Sequence, residues 1–375
     1  MNIYLNGGKY MKKALLVLLV ILVCASVAFA GGNKEKAAEG NKVLRMLTWT
    51  GYAPQSQIDE FERLYGIKVE ATPSSNEEMI SKLIATGGSG FDLAQPSQDR
   101  IVSVVKSNGI YQPIDYSKIN EDQLDPALVA STKKFTEYEG KVYAVPHVFG
   151  TSGLVVNKKY VKKNPKDLDY TDLLDPAYAG HVSYRCKRPI LCAMGFALGY
   201  NVWDLYNNPT EYQKMLDAVG AKLIEGKKVL KYYWENGDQL LQGMQSEEIW
   251  IAKGWEQGAW KLYKENPDID YVAPKSGSMA FIDTFAIPAK SENVDGAYKW
   301  INFVLEPKNA AEFTNAEGYG TASKDAVKYY EPEAKANFER CFTPEVMANM
   351  NWYPTVPDGL ESMEGKTLDK MRAAK

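Results

Sequence analysis

Histidine and cysteine are scarce in this 375-residue chain, which contains two histidines and four cysteines. With so few imidazoles, a metal site built on histidine is not expected. Removal of an export signal would leave Cys186, Cys192 and Cys341, and an odd number argues against a disulfide framework. A single Cys186–Cys192 bridge stays open as an alternative. The sequence predicts neither a metal site nor a cofactor.

Familiar catalytic motifs are also missing. The chain has no G-x-S-x-G nucleophile elbow, P-loop, H-E-x-x-H zinc motif or paired C-x-x-C. Its glycine-rich stretches, EGYGTAS and GGSGF, lack the strand-to-helix setting of a dinucleotide fingerprint. We therefore do not expect an enzyme. The enzymatic alternative would pair Asp283 with Glu235 or Glu256 for acid–base chemistry.

The amino terminus has the pattern of an export signal. A Met-Lys-Lys sequence at 11–13 precedes an apolar run over 14–29, and Ala28-Phe29-Ala30 is a small-x-small cleavage site. We expect residues 1–30 to be a signal peptide, with Met1 or Met11 as the start, and 31–42 to be a flexible polar leader. Lipidation of Cys24, which would tether the chain to a membrane, is the alternative, although the preceding Val23 does not fit that motif.

Acidic residues slightly outnumber basic ones. Removal of residues 1–30 would take away three lysines and no acid, which changes the formal net charge from −3 to −6. Such a chain is a poor partner for nucleic acid.

From residue 43 onward, apolar strands alternate with amphipathic helices. VLRMLT begins the first strand, and Ile58, Phe61 and Leu64 then lie on one face of a helix that Gly66 ends. IKVEAT and FDLAQPS are further strands, and Asn76 is the expected N-cap of the helix between them. Alternation with short links predicts an α/β fold with mainly parallel sheets covered by helices.

Three polar or aromatic residues follow the ends of predicted strands. Trp49 and Tyr52 follow the first strand, and Ser97 follows FDLAQP. In open α/β sheets, ligands bind beyond the carboxyl ends of the strands. We therefore expect these side chains to face a ligand crevice.

Several of these segments together resemble a known family. LTWTGYAP, GFDLAQPSQDRI, FIDTFAIPA, AYKWINFVLEP and EGYGTAS are similar, in the same order over residues 43–375, to the polyamine-binding proteins of bacterial ABC importers. The resemblance implies the type II periplasmic-binding-protein fold, with two α/β lobes joined by crossing hinge strands. It assigns 43–148 plus 281–327 to one lobe and 149–280 plus 328–375 to the other. It also implies a periplasmic, monomeric protein that delivers an amine to an ABC permease.

The resemblance carries a ligand set with it. The matching positions are Trp49, Tyr52, Ser97, Trp255, Asp283 and Tyr319, with Phe281 where the family usually has tryptophan. The chemistry suits an alkylamine, because a buried ammonium needs a carboxylate and aromatic faces attract cations.

The segment SYRCKRPILC departs from the family. Relatives place acidic residues there, whereas this chain has Cys186, Lys187, Arg188 and Pro189. If Lys187 or Arg188 enters the cleft, the ligand should be a zwitterionic amine such as an amino acid or opine. If Asp99 and Glu235 supply the missing acids, putrescine or spermidine is expected. Thiamine, phosphonates and Fe(III) are the further ligand classes of this fold, and the tyrosine pairs 232–233 and 329–330 are the candidates for holding iron.

Overall fold

A computed structural model describes residues 42–374. The predicted signal peptide, Met11, Cys24 and all of the leader except its last residue lie outside the described residues. In the part that the structure describes, no helix combines the length and apolar character needed to span a membrane.

The elements alternate along the chain as the sequence predicts. The strands are β1 Val43–Thr48, β2 Lys68–Pro73, β3 Leu93–Ala94, β4 Glu137–Tyr138, β5 Lys141–Val142, β6 Val145–Asn157, β7 Val182–Tyr184, β8 Leu230–Tyr233, β9 Ile251–Trp255, β10 Ile269–Val272, β11 Met279–Phe285, β12 Gly320–Thr321 and β13 Asn351–Trp352. The helices are α1 Gln55–Tyr65, α2 Asn76–Ala85, α3 Ile101–Asn108, α4 Pro126–Thr136, α5 Arg188–Ala197, α6 Pro209–Glu225, α7 Gly237–Gln245, α8 Glu256–Glu265, α9 Val294–Val304, α10 Pro307–Glu317, α11 Pro332–Cys341, α12 Pro344–Ala348 and α13 Leu360–Ala373.

Helix boundaries follow local chemistry. Gly66 takes up a left-handed conformation at the end of α1, which its lack of a Cβ allows. The N-cap of α2 is Ser75 rather than the predicted Asn76. Ser75 and Glu78 form a reciprocal capping box, which satisfies two free N–H groups at once. Asn76 instead bonds to Ser97.

A three-stranded parallel sheet of order β2-β1-β3 contains the first ligand loops. Its apolar residues pack against α1 and α9, with Leu44, Met46, Phe61 and Trp300 fully buried in one core. The carboxyl ends of β1 and β3 lie side by side, because Leu47 pairs with Ala94. The loops after both strands therefore leave the same edge of the sheet.

The larger sheet, within the described residues, has the order β13-β11-β6-β9-β7-β8, with β10 and β12 also paired to β6. It is mixed rather than mainly parallel. The 13-residue β6 runs antiparallel to β9, β10, β11 and β12, while β7 is parallel to β8 and β9. A second core, separate from that of the smaller sheet, surrounds the β7 end of this sheet.

Isolated bridges connect the two sheets near the ligand loops. Ala94 pairs with Ala286 and Ser97 with Asp283, so the chain around β11 passes beside β3. The long β6 and β11 thus run from one core to the other, as crossing strands do in a two-lobed α/β fold.

Cys186, Cys192 and Cys341 are buried free thiols. The alternative of a Cys186–Cys192 bridge is not seen. Burial raises the pKa of the Cys192 thiol to about 12, so it is neutral and inert at ordinary pH.

Candidate functional site

A buried carboxylate, Asp283, lies where the ligand loops meet. The Tyr52 hydroxyl donates to its Oδ2 at 2.8 Å, and the Ser97 hydroxyl donates to its Oδ1 at 2.6 Å. Asn76 fixes Ser97 by donating to its Oγ at 3.0 Å and accepting from its N–H at 2.9 Å. We call Asp283, Tyr52 and Ser97 the Asp283 cluster. The predicted positions from three separate segments therefore meet at one carboxylate.

Backbone geometry brings these three side chains together. Tyr52 lies in the loop after β1, and Ser97 lies in the loop after β3. The backbone N–H of Thr284 donates to the carbonyl of Pro96 at 2.9 Å, which holds β11 against the second loop. The pairing of β11 with β6 is irregular between Asp283 and Thr284. Such irregularities are common next to binding sites, where they redirect a side chain.

The Asp283 carboxyl has hydrogen bonds but no cation. It is 3% exposed, and none of the ion pairs among the described residues includes it. Burial raises its pKa to about 7, despite the hydrogen bonds from Ser97 and Tyr52, which favour the charged form. Burial also raises the pKa of Tyr52 well above its usual value, so its hydroxyl stays protonated and can donate. The cluster therefore offers a hydrogen-bond acceptor whose ionised form a bound cation would stabilise.

Aromatic rings surround Tyr52. Its ring centroid lies 6.5 Å from that of Trp49 and 5.8 Å from that of Tyr319, and Tyr319 lies 6.1 Å from Phe281. Trp49 donates its indole N–H to the carbonyl of Gln95 at 2.8 Å, which fixes the ring. Trp49, Phe281 and Tyr319 are half-buried. They offer the flat apolar walls that an alkyl chain needs.

A second aromatic group is built around Trp255 at the end of β9. Trp234 packs edge-on against it, with ring centroids 5.0 Å apart. The guanidinium of Arg185 lies over both rings, 5.2 Å from Trp234 and 5.8 Å from Trp255. We call these three residues the Trp255 cluster. Our sequence reasoning did not select Arg185, although it stands in the divergent SYRCKRPILC segment.

Strand β6 puts Trp255 and Asp283 on one face of the larger sheet. Trp255 pairs with Ser152, and Phe281 pairs with Gly150, two residues along β6. Directly opposed residues share a face, as do residues two apart on one strand, so Trp255, Phe281 and Asp283 lie on the same face.

The backbone between the clusters is closely packed. A Cβ at Gly150 would lie 2.6 Å from the Phe281 ring, 2.8 Å from the Glu256 carboxylate and 3.0 Å from Tyr319. Glu256 is fully buried and accepts the backbone N–H of Thr151 at 2.9 and 3.0 Å. Burial raises its pKa to about 8. Glycine is favoured here, because any Cβ would have to push these side chains aside.

Asp99, a predicted ligand contact, and Arg188, the alternative to it, are paired with each other. Arg188 Nη1 lies 2.7 Å from Asp99 Oδ2, and its Nε lies 3.3 Å from Glu364. Arg100 lies 3.6 Å from Asp99 on the other side. The side chains of Asp99, Arg188 and Glu364 are all buried. Neither Asp99 nor Arg188 therefore offers an uncompensated charge to a ligand.

The other two candidate charges, Glu235 and Lys187, belong to no ion pair within the described residues. Glu235 is exposed, and its backbone N–H donates to the Gln239 side chain at 3.0 Å. Lys187 is half-buried and caps α5 without a side-chain hydrogen bond. From this segment, the Arg185 guanidinium lies over the Trp255 ring.

Comparisons with known proteins agree with this architecture. A family model described as bacterial extracellular solute-binding protein matches residues 56–340. The spermidine/putrescine-binding periplasmic protein of Escherichia coli K12 is 30% identical over 333 residues, which cover 88% of this chain and 91% of the relative. Spermidine/putrescine-binding periplasmic protein 1 of Haemophilus influenzae is 28% identical over 346 residues, with 91% and 92% covered.

Similarity extends to solved structures. The spermidine/putrescine ABC transporter substrate-binding protein of Streptococcus pneumoniae superposes with a TM-score of 0.71 at 25% identity, covering 88% of this chain and 99% of that one. The similarity in sequence and in structure thus covers most of the chain. The chain belongs to the family of bacterial extracellular solute-binding proteins.

Proposed function

We propose that this chain is the solute-binding component of an ABC importer and captures a linear amine between the Asp283 and Trp255 clusters. The main support for this proposal is the Asp283 carboxylate. It is buried, accepts hydrogen bonds from two hydroxyls and forms no ion pair with a cation of the described residues. An ammonium group placed there would gain a charge-assisted hydrogen bond and remove the cost of a bare buried charge.

Polyamines are the first candidates. The relatives from Escherichia coli and Haemophilus influenzae carry spermidine and putrescine in their names. The half-buried rings of Trp49, Phe281 and Tyr319 suit the methylene chain of such a ligand. An ammonium over an indole or phenol face gains about 0.5–2 kcal/mol.

We extend the proposal to capture by closure of two lobes, 43–148 plus 281–327 and 149–280 plus 328–375. The separate cores around β1 and around β7 support this division. The Asp283 cluster would belong to the first lobe and Trp255 to the second. A ligand that contacts both clusters favours the closed form by those added contacts.

The proposal places the mature chain in the periplasm as a monomer that delivers its ligand to the permease of the importer. Cleavage of the signal peptide of residues 1–30 would release the chain into the periplasm. Lipidation of Cys24 would instead tether it to a membrane, with its folded part still in the periplasm.

A thermal-shift screen followed by calorimetry tests the proposed ligand class. The purified chain is mixed with putrescine, spermidine, amino acids, thiamine and Fe(III). A ligand specific for the folded form, at a hundred times its Kd, adds about 2.7 kcal/mol to the free energy of unfolding. Stabilisation by amines supports the proposal. Stabilisation by thiamine or Fe(III) alone would contradict it.

A further inference from the structure

Arg185 is a half-buried arginine without a compensating anion. It follows β7 directly, and its Nε is buried with no hydrogen-bond partner. In the chain from 42 to 374, ion pairs include Arg45, Arg63, Arg100, Arg188, Arg340 and Arg372, but none includes Arg185. Burial lowers its pKa, yet a guanidinium remains charged at any ordinary pH.

Arg188, three residues later, provides an internal comparison. That guanidinium is also buried, but it meets Asp99 at 2.7 Å and Glu364 at 3.3 Å. The same segment therefore contains one arginine whose charge is compensated within the protein and one whose charge is not. Burying an unpaired charge is costly, so we expect an anionic group of the ligand to pair with Arg185 when the site is occupied.

A second buried basic side chain, Lys253, lies near Arg185 and also has no carboxylate partner. Lys253 is 5% exposed, and its Nζ donates to the Ser152 hydroxyl at 2.7 Å rather than to a carboxylate. Its carbonyl accepts the indole N–H of Trp234 at 3.1 Å, which joins it to the Trp255 cluster. Burial, together with the nearby charge of Arg185, lowers the pKa of Lys253 to about 7.

The nearest acids do not neutralise Arg185. Glu77 and Glu235 act on it electrostatically, but neither lies within ion-pair distance of its guanidinium. Glu77 lies 3.7 Å from Arg100, and Glu235 is exposed. The end of the site at Trp255 is therefore positive, while the end at Asp283 is an unpaired carboxyl.

We infer that Arg185, held between Trp234 and Trp255, is the anion-binding residue of the site, and that the ligand carries a carboxylate at the end opposite its ammonium. This inference rests on the proposed amine-binding function and narrows its substrate class. A guanidinium can bind a carboxylate through two parallel hydrogen bonds, and its planar face stays on the indoles meanwhile. A diamine would instead place a second ammonium against Arg185.

The test compares matched ligands that differ only in one terminal group. Putrescine and γ-aminobutyrate form one pair, and spermidine and its analogue with a carboxylate in place of a terminal aminomethyl group form the other. Calorimetry measures each Kd for the wild-type chain, Arg185→Gln and Arg185→Asp. Lys187→Gln is the matched control, because it removes one positive charge two residues away.

We expect the wild-type chain to bind the carboxylate member of at least one pair more tightly than the diamine or triamine. Arg185→Gln should weaken that binding by roughly 10- to 100-fold, the range for a hydrogen bond to a charged group. Arg185→Asp should reverse the preference, and Lys187→Gln should leave it unchanged. Thermal unfolding of each variant without ligand verifies that it is folded.

Two other results would overturn the inference, and they differ. If the wild-type chain prefers putrescine or spermidine and Arg185→Gln preserves that preference, the anion-binding role is wrong while the proposed amine-binding function stands. If no amine of either pair binds, the proposed function fails as well.

Discussion

Replacing Asp283 with asparagine separates the contribution of this residue to binding from its effect on folding. The carboxyl is 3% exposed and bonded to Tyr52 and Ser97, with no cation from the described residues. Its pKa is raised from 3.8 to about 7 by burial. A shift of that size means that the ionised carboxylate costs the ligand-free protein about 4 kcal/mol at alkaline pH.

The sign of the stability effect follows from this raised pKa. Between about pH 4 and pH 7 the folded carboxyl holds a proton that the unfolded chain has released, so wild-type stability falls as pH rises through this window. The asparagine amide has no such charge. At about pH 8 we expect Asp283→Asn to raise the free energy of unfolding by roughly 1–4 kcal/mol, part of the gain being lost to weaker hydrogen bonds. At about pH 4 the gain should vanish.

The affinity of the wild-type chain for its ligand should depend on pH in the opposite way to its stability, rising as the pH rises. An ammonium pairs with the ionised carboxylate, so wild-type affinity should fall about tenfold for each pH unit below 7, and binding near pH 6 should release a proton. Asp283→Asn should lose roughly 100-fold or more in affinity at about pH 8, the cost of leaving a buried charge unpaired. Its remaining affinity should no longer depend on this titration.

Urea unfolding and calorimetry across this pH range measure both effects. Asp295→Asn is the control, because that aspartate is exposed and its side chain is 79% accessible. A variant at Asp283 that binds the same amine with wild-type affinity at about pH 8 would refute the role of this carboxylate. A variant less stable than wild type at that pH would refute the energetic reasoning.

Three further substitutions have expected outcomes. Trp255→Ala should weaken ligand binding by about tenfold in calorimetry, because an apolar wall and the ring beneath the Arg185 guanidinium are removed. Arg188→Met should lower the free energy of unfolding in urea by about 3–5 kcal/mol, since Asp99 and Glu364 both lose their buried partner and Asp99 keeps only Arg100 at 3.6 Å. Adding Asp99→Asn should restore part of that loss. Gly150→Ala should cost about 1–3 kcal/mol of stability in the same assay and weaken binding, because its methyl group would meet Phe281 at 2.6 Å.

Much of the fold was predictable because local patterns and topology agree. The alternation of apolar strands and amphipathic helices gave the α/β class, and glycine chemistry gave the end of α1 at Gly66. The positions of Tyr52 and Ser97 after parallel strands predicted that they would lie close together, and the structure shows both bonded to Asp283. The role of Asp283 in binding stays a prediction.

The mixed character of the larger sheet was not predictable from periodicity. A strand buried on both faces has the same apolar pattern whether its neighbours are parallel or antiparallel. The direction of β6 relative to β9 and β11 depends on pairings more than 90 residues apart along the chain. The N-cap at Ser75 was missed by one residue, because Ser and Asn are equally good caps and only the reciprocal bond to Glu78 distinguishes them.

The charges of the SYRCKRPILC segment show why its function required a structure. Nothing in the sequence around Arg185 and Arg188 tells which of the two charges is compensated. That depends on acids that lie far away along the chain. Asp99 and Glu364 lie 89 and 176 positions from Arg188 and compensate its charge. Arg185 and Asp283, by contrast, have no oppositely charged partner in the described protein, and we propose that they lie at the two ends of one site. Stability alone would favour pairing or removing both, because each is costly to bury. A single ligand that carries an ammonium at one end and a carboxylate at the other would remove both costs.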